Sequence, residues 1–133
     1  MKIFGIICEY NPFHNGHARQ LEFCRSNGAD LIFCAMSGDF TQRGEPAVLE
    51  KRIRAKHAVQ SGADLVAELP LPYAAAGAKD FAEGGVKLLE KMGCTHICFG
   101  SECGNISLLE KAAELIDCLL YTSPSPRDRQ KSR

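Results

Sequence analysis

Two histidines, His14 and His17, with a glycine between them at Gly16, are the residues of this chain best suited to chemistry. They stand in the run Glu9-Tyr10-Asn11-Pro12-Phe13-His14-Asn15-Gly16-His17, which follows an apolar segment and leads into a helical pattern from about Gly16. Imidazoles at this spacing at a helix start can face one anion together, while free backbone N–H groups and the helix dipole add positive potential. Gly16 leaves room for a ligand to approach the backbone where a side chain would stand in the way. The chemistry that fits is phosphate binding, with imidazole donors stabilising charge that grows on a departing group. Two other readings use the same residues: a surface pair of histidines beside a tight turn, and a zinc site, which is weak without a further His or Cys close by.

Other polar stretches stand at comparable places. Met36-Ser37-Gly38-Asp39-Phe40-Thr41-Gln42-Arg43-Gly44-Glu45-Pro46 is a glycine-containing loop from which Arg43 could reach phosphate or RNA, although a solvated loop has the same pattern. Lys51, Arg52, Arg54 and Lys56 follow on a helix and read as a solvated face, the alternative being electrostatic steering of an anion. Glu68-Leu69-Pro70-Leu71-Pro72-Tyr73 and Phe99-Gly100-Ser101-Glu102 each close an apolar run, and Gly100 is either an ordinary turn or a place where a base or ribose meets backbone.

The elements that must position these residues are legible in the pattern. Ile3 to Cys8, Leu31 to Ala35, Leu65 to Leu69 and Ile97 to Phe99 are short apolar runs without polar alternation, as strands buried on both faces of a parallel sheet are. Between them lie helical stretches: Ala18, Leu21 and Cys24 share a face, as do Ile53, Lys56 and His57 on the other side of their helix, and Phe81, Ala82, Val86, Leu89 and Met92 recur at helical spacing. Leu108, Leu109, Ala112, Leu115, Ile116 and Leu119 do the same in a last helix, with Ser107 and Glu110 as its capping box. Helices stop at Gly28, Gly62 and Gly93, where glycine tolerates the left-handed conformation. Strand and helix alternate, which predicts a doubly wound α/β sheet with the loops that carry the motifs gathered at the C-terminal ends of its strands.

Composition narrows the class. Hydrophobic residues make up 45% and charged residues 24%, with no apolar run near the length of a membrane span. Ile3 to Cys8 is too short for a signal peptide and reads as a first strand in a cytoplasmic protein. The seven cysteines include no Cys-x-x-Cys and read as reduced, buried thiols. The formal charge is zero, but Arg127, Arg129, Lys131 and Arg133 lie near the end, so Met1 to Leu120 carries −3 and shows no nucleic-acid surface of its own. Residues 1–120 form the expected domain. Tyr121 to Arg133, with two prolines and abrupt basic character, reads as a disordered tail or as translated adaptor sequence, and is set apart from fold and function.

The His14-Asn15-Gly16-His17 element is the H-x-G-H form of the HIGH signature, which serves in-line attack on the α-phosphate of ATP with loss of pyrophosphate. Four ordered blocks extend the likeness: Glu9 to His17, Met36-Ser37-Gly38 with Gln42 to Ala47, Gly62 to Val66 with Glu68-Leu69-Pro70, and Phe99 to Glu102. Together they resemble the bacterial tRNA(Met) cytidine acetate ligase family, from Met1 to about Leu120. The resemblance implies a three-layer, Rossmann-like HIGH nucleotidyltransferase fold, C-terminally truncated because family members run much longer. It implies an enzyme that makes acetyl-adenylate from ATP, with Mg2+, and acetate, then acetylates the wobble cytidine of elongator tRNA(Met) to N4-acetylcytidine. It also implies ATP contacts at Ile7, Cys8, Glu9, Tyr10, Asn11, Pro12, Phe13, His14, Asn15, Gly16, His17, Ala18, Arg19, Gln20 and Gly100, with His14 and His17 catalytic. The same signature also serves adenylyl transfer to a phosphate-bearing metabolite, and a piece of such an enzyme could bind ATP or RNA without turnover.

Overall fold

The computed structural model of the protein describes residues 1–101 and 104–122. Four strands, β1 (Ile3–Cys8), β2 (Leu31–Ser37), β3 (Leu65–Leu69) and β4 (His96–Ile97), alternate with helices α1 (Asn15–Ser26), α2 (Lys51–Gln60) and α3 (Ala78–Lys91). A 3-10 turn spans Tyr73–Ala75, and α4 (Ile106–Thr122) follows β4. The chain divides into two units, Met1–Phe99, which holds the sheet, and Gly100–Arg133, whose described residues include α4. Glu102, Cys103 and residues 123–133 of the expected tail lie outside the described residues.

The strands form one parallel sheet in the order β3-β2-β1-β4. Successive side chains of a strand point to opposite faces, so each face has its own partners. Phe4 and Ile6 of β1 and Ile32, Cys34 and Met36 of β2 pack with Leu21 and Cys24 of α1 and Ala58 of α2. On the other face Gly5 and Ile7 meet α3, so close that a Cβ on Gly85 would sit 2.7 Å from Ile7 Cδ1. Helices therefore cover both faces, giving the expected three-layer doubly wound, Rossmann-like sheet.

Each sheet-bound helix ends in one device. Gly28, Gly62 and Gly93 have φ of +89°, +124° and +86°. The amide after each donates to a carbonyl five residues back: Ala29 to Cys24 (3.1 Å), Ala63 to Ala58 (3.0 Å) and Cys94 to Leu89 (3.0 Å). These Schellman closures satisfy the last helical carbonyls and turn the chain straight into the next strand. Arg25 braces two of them, donating to the carbonyls of Ala29, Asp30 and Gly62 and pairing with Asp64 Oδ2 at 2.5 Å. That Asp64 oxygen also accepts the Ile32 amide at 2.7 Å.

Several elements differ from the sequence reading. β2 runs on to Ser37, whereas β4 is His96–Ile97, not Ile97 to Phe99. β4 pairs with β1 alone, and as edges β3 and β4 leave Leu65 and Ile97 exposed. The core face of α2 is Arg54 and Ala58, with Ile53 outside it. On α3, Gly84, Gly85 and Leu89 are buried and Val86 is exposed, because close approach to the sheet and to Tyr73 selects residues without bulk. The cap of α4 is Asn105, whose Oδ1 accepts the Leu108 amide at 3.2 Å, in place of the expected Ser107 and Glu110 pair.

Candidate functional site

The loop from β1 into α1 is fixed by aromatic packing and backbone hydrogen bonds. Tyr10 follows β1 at φ +50°, a conformation that a bulky residue adopts only under constraint, and its ring is 1% exposed. Its hydroxyl lies 3.6 Å from Cys34 Sγ, and its ring contacts Phe13 and His17, each at 4.8 Å between centroids. Burial pushes the Tyr10 phenol and the Cys8 thiol well above their ordinary values, so both stay protonated. The thiol of Cys24 is pushed up to about 12 by burial, as suits the reduced core thiol expected from sequence.

The two histidines cap α1 reciprocally. His14 is the N-cap in extended conformation; its Nδ1 accepts the Gly16 amide at 3.0 Å, and His17 Nδ1 accepts the His14 amide at 3.2 Å. A nitrogen that accepts an N–H carries no proton, so each neutral ring keeps its proton on Nε2 and offers one outward donor. The rings stack at 3.7 Å between centroids and 19° between planes. Burial, then the neighbouring His14, holds the His17 imidazole below its ordinary pKa. Gly16 is needed for this arrangement as well as for ligand approach: a Cβ there would sit 2.8 Å from His14 Cε1.

The source of the donors differs from the sequence reading. The Gly16 amide is taken by His14 Nδ1, and the His17 and Ala18 amides by the His14 carbonyl at 3.0 and 3.1 Å. These first-turn amides are therefore engaged within the loop, whereas the imidazole Nε2–H groups have no partner among the described residues.

The loop after β2 closes against this one, as the β1–β2 pairing requires. Glu9 Oε2 accepts the Gln42 amide at 2.9 Å, and Asn11 Oδ1 accepts the Val48 amide at 2.7 Å. Arg54, expected on a solvated face, is buried beneath both loops. It donates to the carbonyls of Leu49 (2.9 Å), Glu9 (2.5 Å), Ser37 (3.2 Å) and Gly38. Burial lowers its pKa, against the pull of Asp39, Cys8, Glu9 and Glu68. Of its helical neighbours, Lys51 pairs with Glu68 at 3.0 Å, while Arg52 and Lys56 are exposed as expected.

Between the loops opens a cavity of about 560 Å3 lined by Ile7, Cys8, Glu9, Tyr10, Asn11, Pro12, His14 and His17, and by Thr41, Arg43, Glu45 and Phe81. Eight of the expected contacts thus share one cavity. Phe13 instead packs on Tyr10 and His17, Asn15 and Gly16 form the first turn of α1, Ala18 and Arg19 continue it, and Gln20 Nε2 lies 3.9 Å from Cys98 Sγ. Gly100 opens the second unit. Thr41, Glu45 and Phe81 were not singled out by sequence, since nothing in their local pattern distinguishes them from loop or helix residues.

The HIGH Nucleotidyl Transferase family model matches residues 1–122. The chain belongs to this family. Within it, the chain is 51% identical over 118 residues to the tRNA(Met) cytidine acetate ligase of Acetivibrio thermocellus, covering 87% of this chain and 28% of that protein. It is 52% identical over 115 residues to the ligase of the same name from a Geobacillus species, covering 86% and 29%. Among solved structures, Thermotoga maritima TmcAL bound with alpha-thio ATP superposes with a TM-score of 0.83 at 44% identity, covering 93% of this chain and 30% of that one. This HIGH nucleotidyl transferase chain therefore spans less than a third of the length of these relatives.

Proposed function

We propose that this segment binds ATP, with the phosphates received by the Nε2–H groups of His14 and His17. The observation that carries the reading is the reciprocal cap, which fixes both rings in one tautomer with their remaining donors at a cavity wall. The Thermotoga maritima relative with bound alpha-thio ATP supports ATP as the ligand. Ile7, Cys8, Glu9, Tyr10, Asn11 and Pro12 line the same cavity, and Phe13, Asn15, Gly16, Ala18, Arg19 and Gln20 belong to the loop and helix that shape it. Gly100 is proposed as a further nucleotide contact from the family resemblance.

The protein of which this segment forms part would join acetate to the α-phosphate as acetyl-adenylate. Acetate attacks the α-phosphorus, the bond to the bridging oxygen breaks, and pyrophosphate leaves with the bond's electrons. Donors already aimed at the growing charge lower the barrier because they need no reorganisation during the step. The amine of the wobble cytidine of elongator tRNA(Met) then displaces AMP from the activated carbonyl, giving N4-acetylcytidine. Relatives bearing the name tRNA(Met) cytidine acetate ligase support this choice of acyl acceptor. Among the described residues no group of three or more His, Cys, Asp or Glu is placed to hold a metal. Mg2+ enters this proposal as the counter-ion of ATP, bound by phosphate oxygens.

Titration of ATP into the chain, with the imidazole nitrogens followed by NMR, tests the binding step. The Nε2 resonances of His14 and His17 should shift, and His17→Ala should lose roughly tenfold or more in affinity. Unchanged affinity in that variant would remove the phosphate role. Acetate-dependent release of pyrophosphate by the protein at the length of its relatives tests the chemical step, and release indifferent to acetate points instead to adenylyl transfer onto another acceptor.

A further inference from the structure

The cavity wall facing the histidine loop is hydrogen-bonded to that loop, and its charge is incomplete without one residue. With both imidazoles neutral, Glu9 and Glu45 are the acids among the lining residues and Arg43 is the permanent cation. A polyphosphate bound to two neutral donors would meet a wall whose acids outnumber its permanent bases. Something on that wall must offset both.

Arg43 is mounted for that purpose. It sits in a tight turn in which the Thr41 amide donates to the Glu45 carbonyl at 2.8 Å and the Gly44 amide to the Thr41 carbonyl at 2.9 Å. Gly44 takes φ +80°, and a bridge between Phe40 and Pro46 closes the base of the turn. Glu9 holds the turn through the Gln42 amide, next to Arg43, and Asn11 holds the chain after the turn through Val48. The backbone of Arg43 is thus tied to the histidine loop. Its exposed guanidinium takes no hydrogen-bond or ion-pair partner among the described residues. A second, independent feature of the same turn points to a ligand. The hydroxyl of Thr41, in a residue 8% exposed on the cavity wall, has no hydrogen-bond partner among the described residues, although a buried hydroxyl without one costs about 1–3 kcal/mol.

We propose that Arg43 and Thr41 form the second half of the anion site, with the Arg43 guanidinium clamping the polyphosphate of the nucleotide from the side opposite His14 and His17, and the Thr41 hydroxyl hydrogen-bonding the same group. This rests on the reading of the histidine loop as an ATP site. It assigns the turn to phosphate recognition, leaving the adenosine to other contacts. Arginine suits the task because its planar fork meets two oxygens at once and stays charged at any physiological pH.

Calorimetric titration of the chain with ATP, inorganic pyrophosphate, adenosine and acetate separates the possibilities. Arg43→Gln should weaken ATP and pyrophosphate about 10- to 100-fold, the scale of a lost charge-assisted fork, with adenosine unmoved. Arg43→Lys should recover part of the loss, and Thr41→Val should weaken pyrophosphate severalfold, with thermal midpoints close to wild type in all three. Equal affinities for ATP in wild type and Arg43→Gln overturn the proposal. So does a loss confined to acetate, which would make Arg43 a carboxylate ligand, or an equal loss for adenosine, which would make the turn merely structural. If wild type binds pyrophosphate with Arg43 dependence but gains nothing from the nucleoside, the anion clamp stands and the ATP reading fails. If wild type binds neither ATP nor pyrophosphate, both fall.

Discussion

Arg54→Met removes the guanidinium beneath the two loops while keeping much of the side chain's length. Four hydrogen bonds disappear, to the carbonyls of Leu49, Glu9, Ser37 and Gly38. The bonds to Ser37 and Gly38 lie in fully buried surroundings. A buried acceptor left without its partner costs about 1–3 kcal/mol, so these two carbonyls alone set a loss of roughly 2–6 kcal/mol. Relief from burying a cation, the same burial that lowers the pKa of Arg54, offsets part of this. A net loss of about 2–4 kcal/mol follows, a large share of the ~5–15 kcal/mol that holds a typical domain together. With a urea dependence of about 2 kcal/mol per molar, the unfolding midpoint should fall by roughly 1–2 M. ATP affinity should fall about tenfold as well, because Glu9 and Gly38 begin the two loops that enclose the cavity. Arg54→Lys keeps the charge but has one nitrogen to serve four carbonyls on two sides, so it should recover less than half of either loss. Urea unfolding followed by circular dichroism, with ATP titration of the same samples, reads both quantities. An Arg54→Met midpoint within a few tenths molar of wild type, with undiminished affinity, would show that the loops hold each other without the arginine.

Protonating His17 removes the Nδ1 acceptor of the His14 amide, and its folded-state pKa lies below the ordinary value of 6.5. The unfolded chain therefore takes up the proton first as pH falls: the contribution of His17 is present above about pH 6.5 and is lost as pH drops through its folded pKa. Denaturant unfolding across this range should show a smaller acid loss in His17→Asn than in wild type, and identical slopes would contradict the cap. Gly85→Ala places a Cβ 2.7 Å from Ile7 Cδ1 and should cost about 1–3 kcal/mol by overpacking, with Ile7→Val restoring part of it in the double variant. Strict additivity of the two changes would mean that α3 shifts away from β1 rather than pressing on it.

Local rules made much of this protein readable from its sequence. Gly28, Gly62 and Gly93 marked the ends of three helices because a left-handed residue there is costly for any side chain with a Cβ. The unalternated run Ile3–Cys8 marked a strand covered on both faces, and His14-Asn15-Gly16-His17 marked a helix start. Tertiary structure decided what those elements do to one another. Arg54 has the same helical setting in sequence as exposed Arg52, and only the approach of the β1 and β2 loops gives it four carbonyls to bind. Gly84 and Gly85 do not stand out by hydrophobicity, yet the spacing between α3, Ile7 and Tyr73 makes them the buried face. The histidine spacing likewise left the proton positions open. The fold decided them, because two backbone amides occupy the Nδ1 atoms and leave the protons on the Nε2 atoms. Chain-local geometry is written in neighbouring residues, whereas burial and hydrogen-bond partners depend on segments that meet only once the sheet has formed.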